Sequence, residues 1–350
     1  MEYTFGKLII IIGSFLVSFF GATQVPQNIA MDNIATTTQE NIEGEVLGTS
    51  TTTVSGGKIY SNADLLKMAS AKLTTLPLGD SKYVTSNPKV GYVYLCNVRK
   101  DNNQGAGTDG PWIKGTSWTP SEKAHVDGNV KWSQAWFKNI ISGTKRLITG
   151  NNLPINHTTG IYPIDANSTA GKYDRNPNSI KTQNMNYSLS ASPVYSTTPN
   201  CMGGEVGVML SGAPLFNGFD AQQRDAQAHE VQDACDGHPQ EKGQYHYHGL
   251  SSCLSDTSVT KVLGYALDGF PITGAMVAKD KYLHTKDLDV CHGLTSEIIM
   301  EEKKKTIYHY VMTEDFPYSA SCFRGTPIST NAGGPPGGMQ RGGNFLPPPR

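Results

Sequence analysis

The sequence predicts a mainly β, disulfide-stapled domain with few short helices, built on an internal pseudo-duplication. Three observations lead there. The 350 residues include 37 Gly, 20 Pro and 16 Tyr at a mean hydropathy of −0.36, a composition that favours turns and strands over long helices. The six cysteines form an even set with no Cys-x-x-Cys pair, which reads as disulfides rather than metal thiolates in an oxidising compartment. A block of the C-terminal third also recurs, spanning 207–255 and again 264–324.

Taken in order, Lys7 precedes the apolar run Leu8–Phe20, and small residues Gly21, Ala22 and Thr23 follow. Residues 1–23 are therefore expected to be a signal peptide. Bulky Phe20 makes a cut after Ala22 poor, so an N-terminal anchor is the alternative. Either reading implies export: secreted, periplasmic or cell-surface. Residues 24–56 read as a Thr-rich flexible linker and 330–350 as a disordered Gly/Pro-rich tail. The ordered body divides into an N-terminal β-rich part at 57–200 and a second part at 201–329. Within it, 62–72 predicts a short helix starting near Asn62, and 89–98 a strand. Residues 130–141 fit a buried strand or a helix. The Gly-, Pro- and Asn-punctuated stretch 150–200 suggests many short strands.

The repeat carries four features in order. "GVMLSGAPLFN" (207–217) aligns with "GYALDGFPITG" (264–274). "DACDGH" (233–238) aligns with "DVCHGL" (289–294), "YHYH" (245–248) with "YHYV" (308–311), and Cys253 with Cys322. Such recurrence implies two similar packed units and equivalent disulfides, Cys235–Cys253 and Cys291–Cys322, which leaves Cys96–Cys201.

On a strand alternate side chains share a face, so His246 and His248 point one way while Tyr245 and Tyr247 point the other. Four of the nine histidines (229, 238, 246, 248) fall within 20 residues. His238, His246, His248 and His309, the repeat partner of His246, are the candidate metal ligands. An imidazole-dominated set prefers copper or zinc over hard cations. Partly buried histidines that merely bond a carbonyl are the competing reading. "AHEVQD" (228–233) weakly resembles a zinc-protease helix, which makes His229, Glu230 and Asp236 the weak catalytic candidates. "DNNQGAGTD" (101–109) lacks the ligands of a calcium loop. A net charge of −1 with no basic stripe gives no argument for a nucleic-acid partner, and none is expected; a protein or glycan partner is not named by any motif.

The segments "AHEVQDACDGHPQEKGQYHYHGLSSCL", "VLGYALDGFPITG" and "YHYVMTEDFPYSASCFRGTP" resemble the YHYH domain family over roughly Gly91–Pro327. The resemblance implies an exported or surface protein and assigns no biochemical activity. Where the family pattern leads us to expect "CHGH", this chain reads "CHGL", with Leu294, which leaves His292 and His309 as the second unit's histidines. Metal binding through the cluster is the favoured expectation. A metal-dependent hydrolase or oxidoreductase using Glu230 or Asp236 competes with it, as does a structural or adhesive surface module without metal.

Overall fold

A computed structural model describes residues 57–98 and 107–329. The signal or anchor segment, the linker, the tail and most of the 101–109 loop lie outside the described residues. The described chain is mainly β. Its centre is a nine-stranded mixed sheet: β1 (Ile59–Tyr60), β2 (Glu205–Met209), β3 (Pro214–Phe216), β4 (Gly237–Pro239), β5 (Tyr245–Tyr247), β6 (Val262–Ala266), β7 (Pro271–Thr273), β8 (Gly293–Met300) and β9 (Lys303–Val311). The spatial order is β1-β8-β9-β7-β6-β2-β3-β5-β4. Outward from the antiparallel β2–β6 pair, both halves run through the same steps. An antiparallel neighbour comes first (β3, β7), then a parallel one (β5, β9), then an antiparallel hairpin partner (β4, β8).

The pattern of each strand follows its place. β6, "VLGYA", is buried at every position because both faces of a central strand are covered. Hairpin β8–β9 turns through Glu301 and Glu302, both at positive φ (50° and 61°), as a two-residue turn between right-twisted strands requires. The main core draws on the whole described chain, from Leu76 and Trp112 through Tyr245 and Tyr247 to Tyr310 and Phe323. Three disulfides staple it: Cys96–Cys201, Cys235–Cys253 and Cys291–Cys322, the pairing expected from the sequence. No helix among the described residues is long and apolar enough to cross a membrane.

Local expectations fared unevenly. Helix α1 spans Asn62–Met68, and its cap is Ser61: the Ser61 hydroxyl accepts from Asp64 N, and the Asp64 carboxylate accepts from Ser61 N, a reciprocal capping box. Segment 130–141 resolves as a strand only from Phe137, in a three-stranded sheet of Phe137–Ser142, Lys145–Gly150 and Met185–Ser190. It is not buried, with Ile140 and Ile141 55% and 47% exposed. In 89–98 only Val93–Tyr94 is a strand. The many strands expected over 150–200 are absent among the described residues; one strand, Met185–Ser190, forms there. Asp165, Asp174 and Asn176 each capture the N–H two residues on, and such side-chain bonds compete with a strand ladder.

Candidate metal centre

At one end of the sheet, β4 and β5 pair so that His238 stands directly opposite His246. His248, two residues on, extends the same face. The three rings crowd together, with centroids 4.5 Å (His238–His246), 4.9 Å (His246–His248) and 5.4 Å (His238–His248) apart. One nitrogen from each ring lies within 4.8 Å of the others. All three residues are buried, each 3% exposed.

The register depends on the turn before β4. The Asp233 carboxylate accepts from Cys235 N (2.9 Å), Gly237 N (3.2 Å) and Gly160 N (2.9 Å), and from the Tyr245 hydroxyl (3.0 Å). Aspartate is suited here because two oxygens can take four donors in a place that backbone groups alone cannot satisfy. Gly237 has no room for a side chain: a Cβ would meet Tyr245 Cζ at 2.2 Å. The tyrosine face of the tetrapeptide thus fastens the strand from behind. Tyr245 reaches Asp233, and Tyr247 Oη bonds Ser211 Oγ (3.0 Å) and His157 Nε2 (2.5 Å).

Backbone carbonyls orient two of the imidazoles. His246 Nδ1 donates to Gln244 O (3.1 Å) and His248 Nδ1 to Asn217 O (2.6 Å). With each proton held at Nδ1, the Nε2 lone pairs of His246 and His248 face one another at 3.1 Å. Glu230 completes the set: its Oε2 lies 3.3 Å from His248 Nε2 and 3.4 Å from His238 Nε2, without a hydrogen bond. Neither nitrogen of His238 makes a hydrogen bond. Phe216 lies against the His246 ring at 4.3 Å.

Burial dominates the electrostatics. It pushes His238 and His246 well below the usual imidazole range, reinforced by neighbouring imidazoles, and His248 down to about 4. The same burial holds Glu230 well above the usual carboxylate range. Near neutral pH the three imidazoles are therefore neutral, each with one N–H and one lone pair, and burial favours the protonated form of Glu230. Three imidazoles and a carboxylate are a donor set able to hold a divalent transition metal.

The structure separates the other candidates from this set. His309 is not a fourth ligand. Five inter-strand steps divide β9 from β5, about 24 Å along the sheet at the usual strand spacing, and both His309 nitrogens are engaged, with Thr273 Oγ1 and Ser296 Oγ at 2.8 Å each. Its neighbours show why that end holds no triad: Leu294 stands opposite His309 where His238 stands opposite His246, and Val311 follows where His248 does. His292 bonds Thr313 Oγ1 at 3.0 Å. His229 closes the one-turn helix α2 (Ala226–His229), and its ring lies between Asp109 (2.8 Å) and Asp80 (3.0 Å), so no His-Glu-x-x helix faces the centre. Asp236, at φ 63°, accepts Ser252 N within the turn. Of the catalytic candidates only Glu230 reaches the imidazoles. The carbonyls of Asn217 and Gln244 and the ring of Phe216 left no signal in the sequence, because backbone acceptors carry no residue preference.

Two surface hollows, of about 530 and 170 Å³, are both lined by Tyr195, the smaller also by Arg324, and neither is lined by any of the triad. No curated protein and no solved structure matches the chain significantly. A family model described as YHYH protein matches residues 186–285, a shorter span than the resemblance above, and it contains the triad and Glu230: this chain carries a YHYH domain.

Proposed function

We propose that the protein is an exported metal-binding protein whose His238, His246 and His248 Nε2 atoms and Glu230 carboxylate hold one copper or zinc ion. One observation carries the reading: ligating atoms of three buried imidazoles and a carboxylate converge, and neither His238 nitrogen nor Glu230 Oε2 makes a hydrogen bond. The Nε2 lone pairs of His246 and His248 lie 3.1 Å apart, and Glu230 Oε2 lies 3.3 Å from His248 Nε2 and 3.4 Å from His238 Nε2, a crowding of ligating atoms that a metal cation, or a shared proton in its absence, relieves. Those separations are close to the ligand–ligand edges, about 3.3–3.4 Å, of a tetrahedral site with bonds of 2.0–2.1 Å. The two Nδ1–H···O=C bonds are the outer-shell partners that metal-bound histidines commonly have.

Binding, rather than turnover, suits the burial. A catalytic metal keeps a position open to substrate, and here all three rings are covered and Glu230 is 14% exposed at its side chain. Three disulfides among the described cysteines favour an oxidising, exported setting.

The test is elemental analysis of untagged protein, repeated on a His246→Ala/His248→Ala double variant. One equivalent of copper or zinc per parent chain and none in the variant is expected. Substoichiometric metal in the parent, or an unchanged content in the variant, overturns the proposal.

A further inference from the structure

Behind the tetrapeptide strand lies a second cluster. His157 and the disulfide-bonded Cys235 and Cys253 bring one ring nitrogen and two sulfurs within 4.8 Å of one another. We propose that these three residues form a redox-dependent ligand set, which takes a soft cation such as Cd²⁺ or Zn²⁺ once a small thiol has reduced the disulfide. The proposal stands apart from the triad, which faces the opposite side of the strand.

Three features support it. Cys253 is exposed and Cys235 is buried at 4%, so a thiolate attacks at Cys253. His157 is already oriented as a ligand: Nδ1 donates to Thr158 O (2.8 Å), leaving the lone pair of Nε2, which accepts from Tyr247 Oη (2.5 Å). That hydroxyl has a second partner, Ser211 Oγ at 3.0 Å, so it is still bonded when a cation takes the imidazole. Zinc bonds of about 2.3 Å to sulfur and 2.0–2.1 Å to nitrogen need ligand separations of roughly 3.4–3.8 Å. The ring nitrogen and the two sulfurs already lie within 4.8 Å of one another, and breaking the S–S bond lets the sulfurs part.

The chemistry balances with two thiols. The first thiolate attacks Cys253 Sγ, the S–S bond breaks, and the electron pair leaves on Cys235 Sγ. The second thiolate attacks the mixed disulfide, releasing the oxidised small-molecule disulfide and the Cys253 thiolate. Two cysteine sulfurs are reduced and two thiols oxidised. The cation then replaces the protons the two cysteines would otherwise carry.

The test treats the purified protein with excess glutathione, removes it without air, and titrates Cd²⁺ while following thiolate-to-cadmium absorption. Alkylation and peptide mapping report which cysteines are free. One equivalent of absorbing Cd²⁺ per reduced chain is expected, with none in the oxidised chain or in Cys235→Ser/Cys253→Ser. His157→Ala should weaken binding roughly tenfold or more. The signal should persist in Cys96→Ser/Cys201→Ser, whose bond includes the exposed Cys96. It should persist also in His246→Ala/His248→Ala, which separates this site from the triad. The proposal is overturned by a Cys235–Cys253 bond that glutathione leaves intact, or by free Cys235 and Cys253 without the absorption. Absorption surviving their replacement, unchanged affinity in His157→Ala, or loss of the native near-ultraviolet circular dichroism on reduction overturns it equally.

Discussion

Asp233 and Asp289 permit a paired experiment on what positions the triad. Each carboxylate closes an Asp-x-Cys-x-Gly turn and accepts a tyrosine hydroxyl. Asp233 takes Cys235 N, Gly237 N and Tyr245 Oη; Asp289 takes Cys291 N, Gly293 N and Tyr308 Oη. Only the first turn leads into β4 and its histidine. In Asp233→Asn the amide oxygen still serves the turn, but its NH₂ is presented to Gly160 N–H, which Asp233 Oδ2 now accepts at 2.9 Å. Orphaning one buried donor costs about 1–3 kcal/mol, and weakening the charge-assisted bonds adds to it. The relief of a buried carboxylate, raised by desolvation, offsets part. A net loss of about 2–3 kcal/mol is expected, roughly a 4–12 °C fall in melting temperature for a body of this size. Metal content should fall with it, because β4 loses the anchor that sets His238 opposite His246. Asp289→Asn also breaks the pairing with Arg324 and should destabilise comparably while leaving metal content at the parent value. Thermal unfolding and elemental analysis of both variants decide the matter. Equal metal loss in both, or full loading in Asp233→Asn, refutes the positioning argument.

Further expectations follow from the same geometry. His238→Leu, copying Leu294 at the other end of the sheet, should abolish metal binding yet stabilise the metal-free protein by about 1–2 kcal/mol, since it removes an unpartnered buried imidazole; denaturant unfolding after chelation checks this. Glu230→Gln should weaken metal affinity on the order of 10–100-fold without unfolding the protein, measured by competition with a chromophoric chelator. His309 is held at about 3 by burial, below its unfolded value of about 6.5. The sign is therefore that of a depressed base: its contribution is present above pH 6.5 and is lost as pH falls toward 3. Chelated His309→Asn should take up about one proton fewer on unfolding across that window, read from urea midpoints against pH. An unchanged slope would refute the placement of a neutral His309.

Much of this arrangement was legible because it depends on side-chain type and spacing. The period-two alternation of a strand separated His246 and His248 from Tyr245 and Tyr247, and the structure finds the histidines on one face and the tyrosines fastening the other. The recurring Asp-x-Cys-x-Gly motif supplied the cysteine partners, which the sulfur positions match. His309 misled for an equally physical reason. Correspondence between two segments says nothing about proximity, and four strands lie between β5 and β9. Glu230 was noticed as part of a His-Glu helix, whereas α2 ends at His229 and Glu230 instead lies beside the imidazoles of His238 and His248. Stretches such as 151–184 failed because Asp and Asn side chains there satisfy nearby amides locally.

The ring orientation of His246 and His248 is set by the carbonyl oxygens of residues 244 and 217, atoms that every amino acid possesses. Substitution at those two positions can vary while the tautomers stay as they are, provided the main chain keeps its path. Evolutionary drift or engineering around the centre is therefore constrained by the course of the peptide backbone more than by the chemical identity of the adjoining residues.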